Sequence, residues 1–224
     1  MDALENATTV APSNARFESL WPARVSVLVI VTLQLLLNER LSLGPNWLAP
    51  MLELGFLAVL FTMSHERRIG RHRTSRLAAM VMTLFINSFN LASLVLLVES
   101  LLHGSKSSGT TLLIDALNIW LTNMIVFALW YWELDQGGPH ERGLANCPLP
   151  DFLFPQMTAR EFSPPDWSPG FVDYLFVSFT NATAFSPTDT LPLTPAAKAL
   201  MMVQAATSLL TVALVASRAV NILT

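Results

Sequence analysis

Long apolar runs separated by short polar stretches dominate the chain. Several of these runs are about 20 residues long, enough for an α-helix to cross a bilayer at a rise of about 1.5 Å per residue. The pattern predicts an all-α integral membrane protein, a helical bundle of about five to six spans. The long predicted spans are Trp21–Asn38, Trp47–Ser64, Leu77–Leu102, Thr111–Leu134 and Ala196–Ile222.

The stretch before the last span contains three parts. Residues Gln136–Gly170 hold seven of the fourteen prolines, so they cannot form a continuous helix and are predicted to be a linker. Phe171–Thr183 is predicted to be an apolar half-helix with a polar end, followed by the hairpin Ala184–Pro195. Polar backbone within a membrane protein is tolerated only where it lines a cavity or is buried in protein. This segment is therefore the most suggestive of function.

The chain thus divides into four regions. A flexible N-terminus (1–20) without a signal peptide precedes a four-helix transmembrane region (21–135). The Pro-rich linker (136–170) and a C-terminal module (171–224) follow.

The composition supports membrane insertion. Hydrophobic residues make up 52% of the chain and charged residues only 13%, whereas soluble domains average roughly 25% charged residues. No basic, aromatic-interleaved patch is present, which excludes a nucleic-acid partner and leaves the lipid bilayer as the expected surroundings.

An arginine-rich loop, His65–Arg76, sets the predicted orientation. The positive-inside rule places this loop in the cytoplasm, and by counting spans the linker as well. The same loop is also consistent with binding anionic lipid headgroups. Its arginines are Arg67, Arg68, Arg71, Arg73 and Arg76.

Three acids, Glu53, Glu99 and Asp115, lie inside predicted spans near the face opposite the arginine loop. Ionisable groups in a membrane are costly and usually face a cavity or a partner. One interpretation is a ring of acids that attracts cations. The other is that each acid reaches water or pairs with a neighbouring polar group.

Other polar and aromatic residues have predicted structural roles. Asn87 and Asn90 share a helix face, as do Asp115, Asn118 and Thr122, which predicts hydrogen bonds between the third and fourth spans or a polar permeation path. The triplet Trp130–Trp132 is typical of an aromatic belt at the membrane surface.

No enzymatic chemistry is indicated. The four histidines are scattered, so no metal site is predicted. No nucleophile–base pair, phosphate-binding glycine loop or carboxylate dyad stands out, and we expect neither catalytic residues nor a cofactor.

The C-terminal module resembles the pore domain of tetrameric potassium channels, in which a pore helix, a filter and an inner helix follow one another. Ser178–Thr183 matches the end of the pore helix, and Ala184–Thr188 falls on the filter motif Thr-Val-Gly-Tyr-Gly. Asp189 falls on the acid after the filter, and Pro192–Thr194 on the Pro-x-Thr before the inner helix. The resemblance implies a tetramer with the fourth span as outer helix.

The centre of this module departs from the potassium filter, which lines up backbone carbonyls around the ion. Ser186 and Thr188 stand where the filter has glycines, and the backbone angles used there are costly for residues with a Cβ. Pro187 restricts the backbone further, and Ala184 lacks a hydroxyl. These departures predict a cation passage of non-potassium selectivity, for monovalent or divalent ions, built from side-chain oxygens. The pore-lining candidates are Thr183, Ala184, Phe185, Ser186, Pro187, Thr188, Asp189 and Thr190.

A second interpretation makes the same residues a connecting turn. Asp189 or Thr190 would then cap the last helix, or Thr194 would do so with Pro195 at the first helical position.

The whole chain is similar to an uncharacterised bacterial membrane-protein family, domain of unknown function 1345 (DUF1345). The resemblance lies in Trp130–Pro139, Asp151–Gln156 and Asp173–Thr194. It implies a multi-pass protein of the plasma (inner) membrane and brings no established activity.

Orientation conflicts with the channel resemblance, because potassium-channel pore loops enter from outside the cell whereas the arginine count places the linker inside. Either the arginine loop misleads, a span is miscounted, the module is inverted, or the half-helix is a sixth span with both termini inside. The functional hypotheses are a cation channel, a non-conducting scaffold or accessory subunit, and a small-solute transporter that uses the three acids.

Overall fold

The computed structural model describes residues 19–37, 41–42, 44–45, 47–66, 72–103, 108–143, 147–165, 167–183 and 189–223. Most of the predicted flexible N-terminus lies outside these residues. So do residues 67–71 of the arginine loop and Ala184, Phe185, Ser186, Pro187 and Thr188 of the predicted filter.

The described part of the chain is helical apart from its connections and one pair of two-residue strands. The strands, β1 and β2, pair antiparallel, with Phe152 opposite Pro192 and Leu153 opposite Leu191. The elements are α1 (Trp21–Leu36), α2 (Leu48–Glu66), α3 (His72–Leu102), α4 (Gly109–Leu134), β1 (Phe152–Leu153), α5 (Pro155–Thr158), α6 (Phe171–Thr183), β2 (Leu191–Pro192) and α7 (Pro195–Leu223).

Among the residues that the structure describes, three segments are long and apolar enough to cross a membrane, namely Arg73–Leu102, Gly109–Gly137 and Pro195–Ser217. The prediction of a helical protein is thus confirmed, and three of its helices could cross a membrane by their length and composition. The fourth-span helix, α4, is the centre of the bundle, since 61% of its apolar segment is buried inside the protein against 22% for α7.

Consecutive long helices run in opposite directions. Arg76, near the start of α3, donates from Nη2 to the Glu133 carbonyl oxygen at the end of α4, 3.1 Å away. We call this the arginine end of the bundle. The end that contains Leu102 of α3 and Gly109 of α4 is the opposite end.

Helix boundaries differ from the predicted spans by a few residues. The third helix begins at His72 rather than Leu77, so Arg73 and Arg76 belong to a helix and not to a loop. The last helix begins at Pro195, and Thr194 Oγ1 accepts from the Ala197 backbone N–H at 3.3 Å. Among the alternatives for its cap, Thr194 with Pro195 in the first turn is confirmed. The half-helix bounds, Phe171–Thr183, agree with the prediction.

The aromatic belt prediction is wrong for two of its three residues. Tyr131 is fully buried and Trp132 is 2% exposed, because the face of α4 that carries them packs against α6 and the linker. The Trp132 ring meets that of Phe171 edge-on, with centroids 5.9 Å apart. These aromatic rings therefore belong to the protein interior.

The predicted hydrogen bonding between the third and fourth spans is wrong for Asn118. Asn118 Nδ2 donates to the Leu33 carbonyl oxygen of α1 at 2.6 Å, and Asn123 Nδ2 donates to Ser208 Oγ of α7 at 2.9 Å. The polar face of α4 thus forms hydrogen bonds with α1 and α7.

The described residues of the linker contain no long helix, as its prolines predict, but they are folded onto the bundle. Phe152 and Phe154 are buried, and their rings lie edge-on to Tyr174 at centroid distances of 6.3 and 5.4 Å. The turn that starts the linker depends on glycine: at Gly138, with φ of +95°, a Cβ would lie 3.3 Å from the Glu133 carbonyl oxygen.

One carboxylate, that of Asp135, holds the linker in place. It is fully buried, and its Oδ1 accepts from the backbone N–H groups of Asp151 and Phe152 at 2.6 and 3.3 Å. Its Oδ2 accepts from the Tyr174 hydroxyl at 2.5 Å. Since Tyr174 belongs to α6, Asp135 joins the end of α4, the linker and the half-helix.

We expect Asp135→Ala to lower the free energy of unfolding by about 3 kcal/mol or more, because three donors lose a charged acceptor. Thermal unfolding in detergent measures the loss. Glu161→Ala, at an exposed linker position, is the matched control. Equal midpoints for the two variants would contradict this role of Asp135.

Candidate functional site

The predicted pore helix, α6, is held between α4 and α7 by buried polar side chains. Gln204 of α7 and Ser178 of α6 are both fully buried. Gln204 Nε2 donates to the Ser178 hydroxyl and carbonyl oxygens at 2.6 and 3.0 Å. The Ser178 hydroxyl in turn donates to the Met124 carbonyl oxygen of α4 at 2.6 Å.

The oxygen of the Gln204 side-chain amide also has hydrogen-bond partners. Its Oε1 accepts from the Tyr131 hydroxyl at 2.5 Å and from Asn181 Nδ2 at 2.8 Å. Asn181 also donates to the Met201 carbonyl oxygen at 3.0 Å. We call these four side chains, Tyr131, Ser178, Asn181 and Gln204, the Gln204 network. Each of the three helices contributes to it, so the network holds the second half of α6 between α4 and α7.

The contacts of α6 with α4 show how far the half-helix extends. At the arginine end Phe171 meets Trp132, and at the other end of α6 the Trp120 Nε1–H donates to the Ala182 carbonyl oxygen at 3.4 Å. Trp132 and Trp120 are twelve residues apart, which corresponds to about 18 Å of helix.

The chain then returns to the arginine end before α7 begins. Strand β2 pairs with β1 of the linker, and the Thr194 hydroxyl donates to Asp151 Oδ1 at 2.6 Å. Asp151 is itself tied to Asp135 through its backbone N–H. Both α6 and α7 therefore start at the same end of the bundle.

The described pore-lining candidates lie in different surroundings. The Thr183 hydroxyl, at the end of α6, donates to the Thr180 carbonyl oxygen at 3.0 Å. Thr190 is buried and Asp189 is exposed. The remaining candidates, residues 184–188, lie outside the described residues.

A pocket of about 340 Å³ opens beside the half-helix at the arginine end. Asp173 and Asp189 contribute carboxylates to it, and Phe154 and Phe176 contribute apolar walls. The pocket places negative charge next to the segment that was predicted to line a pore.

The three predicted intramembrane acids do not share one environment. Glu53 and Asp115 are buried, at 0% and 3% exposure, whereas Glu99 is exposed on α3. That these acids attract cations stays a prediction.

Sequence reasoning missed the Gln204 network, although the spacing contains a signal for it. Tyr174, Ser178 and Asn181 recur at intervals of four and three on α6, as do Gln204, Ser208 and Thr211 on α7. Residues at these intervals share one helix face. A polar stripe on an apolar helix therefore indicates a buried partner helix, as Gln204 and Ser178 demonstrate.

No protein-family model, no curated protein and no solved structure matches the chain.

We expect Gln204→Leu to lower the free energy of unfolding by about 2 kcal/mol, because buried partners on α4 and α6 lose their hydrogen bonds at nearly constant volume. Thermal unfolding in detergent provides the measurement, with Met202→Leu, at an exposed position of the same helix, as the control.

A double-mutant cycle sharpens this test. Tyr131→Phe removes a donor from the same amide, so its effect combined with Gln204→Leu should be less than additive. Additive effects would show that the two side chains act independently.

Proposed function

We propose that residues 171–194 form a re-entrant pore loop and that the protein is a channel-like, tetrameric membrane protein that passes cations. The observation that carries the proposal is the common starting end of α6 and α7. A half-helix that enters a bundle, followed by a chain that leaves at the same end, is the arrangement of a pore loop.

Distances favour a loop over a sixth span. The contacts of α6 cover about 18 Å of α4, whereas the hydrocarbon core of a bilayer is about 30 Å thick. From Thr183 to Leu191 the chain has eight residue steps, which reach at most roughly 28 Å when fully extended. This reach is enough to return from the end of α6 to β2.

The proposed topology has five spans, α1 to α4 and α7. The first helix starts at the arginine end, and α7 ends at the opposite end. Because arginine-rich loops are typical of the cytoplasmic side, the proposal places the arginine end and the linker in the cytoplasm. The pore loop then enters from the cytoplasm, so the module is inverted relative to potassium channels.

A tetramer follows from the need to surround the ion. One loop cannot encircle a cation, and α7 offers a surface for neighbours since most of it is not covered by its own chain. Its exposed apolar side chains point in more than one direction around the helix, which suits contact with both a neighbouring subunit and lipid. They include Met202, Val203, Leu209, Leu210 and Val212.

Selectivity in this proposal comes from side chains. Ser186 and Thr188 replace filter glycines, so a potassium-type carbonyl ladder is not expected. The Asp173 and Asp189 carboxylates at the pocket beside α6 would raise the local concentration of cations. We therefore propose a hydrated cation passage of non-potassium selectivity, in the plasma (inner) membrane of a bacterium, within DUF1345.

A second candidate function is a non-conducting accessory subunit. Leu149 and Phe162 of the linker are 89% and 84% exposed, although the linker around them is folded. Such side chains favour a partner protein that docks on the linker. Cation flux from the purified protein alone would rule out this alternative.

The oligomeric state provides the first test. We expect native mass spectrometry of the protein extracted in mild detergent to give a tetramer. Monomers alone, both in detergent and in lipid nanodiscs, would contradict a pore formed between subunits.

Ion flux provides the second test. In proteoliposomes at low salt, we expect Asp189→Asn to reduce cation flux by a factor of about 3 to 10 through loss of electrostatic attraction, and less at high salt. Glu161→Gln in the exposed part of the linker is the control. Robust wild-type flux that Asp189→Asn leaves unchanged would contradict the role of Asp189.

A further inference from the structure

A small polar cavity lies between the first four helices, in the half of the bundle nearer the opposite end. Its volume is about 20 Å³. A cavity needs about 10–15 Å³ on the same measure to hold one water molecule. The polar side chains that line it include Gln34 of α1, Asn90 and Ser93 of α3, and Asn118 and Thr122 of α4.

Two of the side-chain amides that line this cavity have an oxygen without a hydrogen-bond partner. Asn118 Nδ2 donates to the Leu33 carbonyl oxygen at 2.6 Å, and Gln34 Nε2 donates to Glu53 Oε1 at 2.6 Å. The oxygen of each amide, Asn118 Oδ1 and Gln34 Oε1, is buried and accepts no hydrogen bond. Since each amide nitrogen donates to a protein oxygen and each amide oxygen accepts nothing, these oxygens are available to a donor or a cation.

Behind Gln34 lies a buried carboxylate. Glu53 is fully buried in α2, and its second oxygen, Oε2, is also buried and accepts no hydrogen bond. An ionised carboxylate inside a low-dielectric interior is costly unless positive charge is close to it. The cavity, the two amide oxygens and this carboxylate thus make one region that is rich in acceptors.

We propose that this region is a binding site for one sodium ion, held by Asn118 Oδ1 and Gln34 Oε1 together with other polar side chains that line the cavity, and attracted by Glu53. Uncharged and carboxylate oxygens are the ligands of hard cations. One carboxylate and room for one water-sized particle suit a small monovalent ion better than calcium, which takes six to eight oxygen ligands. The site is formed by residues of α1, α2 and α4. It lies apart from the proposed pore loop on α6 and α7.

Thermal unfolding of the full-length protein in detergent tests the proposal. With choline chloride keeping ionic strength constant, increasing NaCl should raise Tm by about 5 °C and then saturate, and KCl should have a smaller effect. Glu53→Gln should abolish the sodium dependence. Glu99→Gln, which removes an exposed carboxylate of α3, and Asp189→Asn, at the proposed pore, should both retain it.

A direct binding measurement covers the case in which Glu53→Gln does not fold. The wild-type protein should bind radioactive sodium saturably in a scintillation proximity assay, with displacement by unlabelled NaCl and not by choline chloride. Equal Tm values in NaCl and choline chloride together with no saturable binding would overturn the proposal. Loss of sodium binding in Asp189→Asn would place the ion in the pore loop instead.

Discussion

A half-helix in apolar surroundings needs partners for its polar groups, and the C-terminal module is organised around meeting that need. The Gln204 amide uses both of its ends, accepting from Tyr131 and Asn181 and donating to Ser178. Burying a polar group without a hydrogen-bond partner costs free energy. These hydrogen bonds therefore hold α6 between α4 and α7. The proposed pore loop depends on that position.

Asp135 performs the corresponding task at the arginine end. By accepting from the linker backbone and from Tyr174, it fixes where α6 begins relative to α4. Asp151 continues the chain of bonds to Thr194 and hence to α7. Residues 171–194 thus have both ends fixed at the arginine end, and α6 extends only part of the way into the bundle. This geometry supports the proposed cation pathway.

The apolar runs predicted the helices well because hydrophobic length is a strong local signal, and the α6 bounds and the Thr194 cap could be predicted for the same local reasons. The partners of the polar residues could not be predicted, because they depend on packing between distant segments. Tyr131 and Trp132 have the composition of a membrane-surface belt but face α6 and the linker. Asn118 bonds α1 rather than α3, since the fold brings Leu33 beside it. Prolines excluded a long helix from the linker, yet nothing local indicated that Asp135 would hold it against the bundle.

Sided labelling of single cysteines tests the central claim, that residues 171–194 enter and leave at the arginine end. In a background with Cys147, which is exposed, replaced by serine, cysteine is introduced at the exposed positions Leu149, Asp189 and His103. Our account predicts that a membrane-impermeant maleimide labels Leu149→Cys and Asp189→Cys from one side of the membrane and His103→Cys from the other. Labelling of Asp189→Cys from the same side as His103→Cys would show that α6 crosses the membrane and would contradict the pore loop.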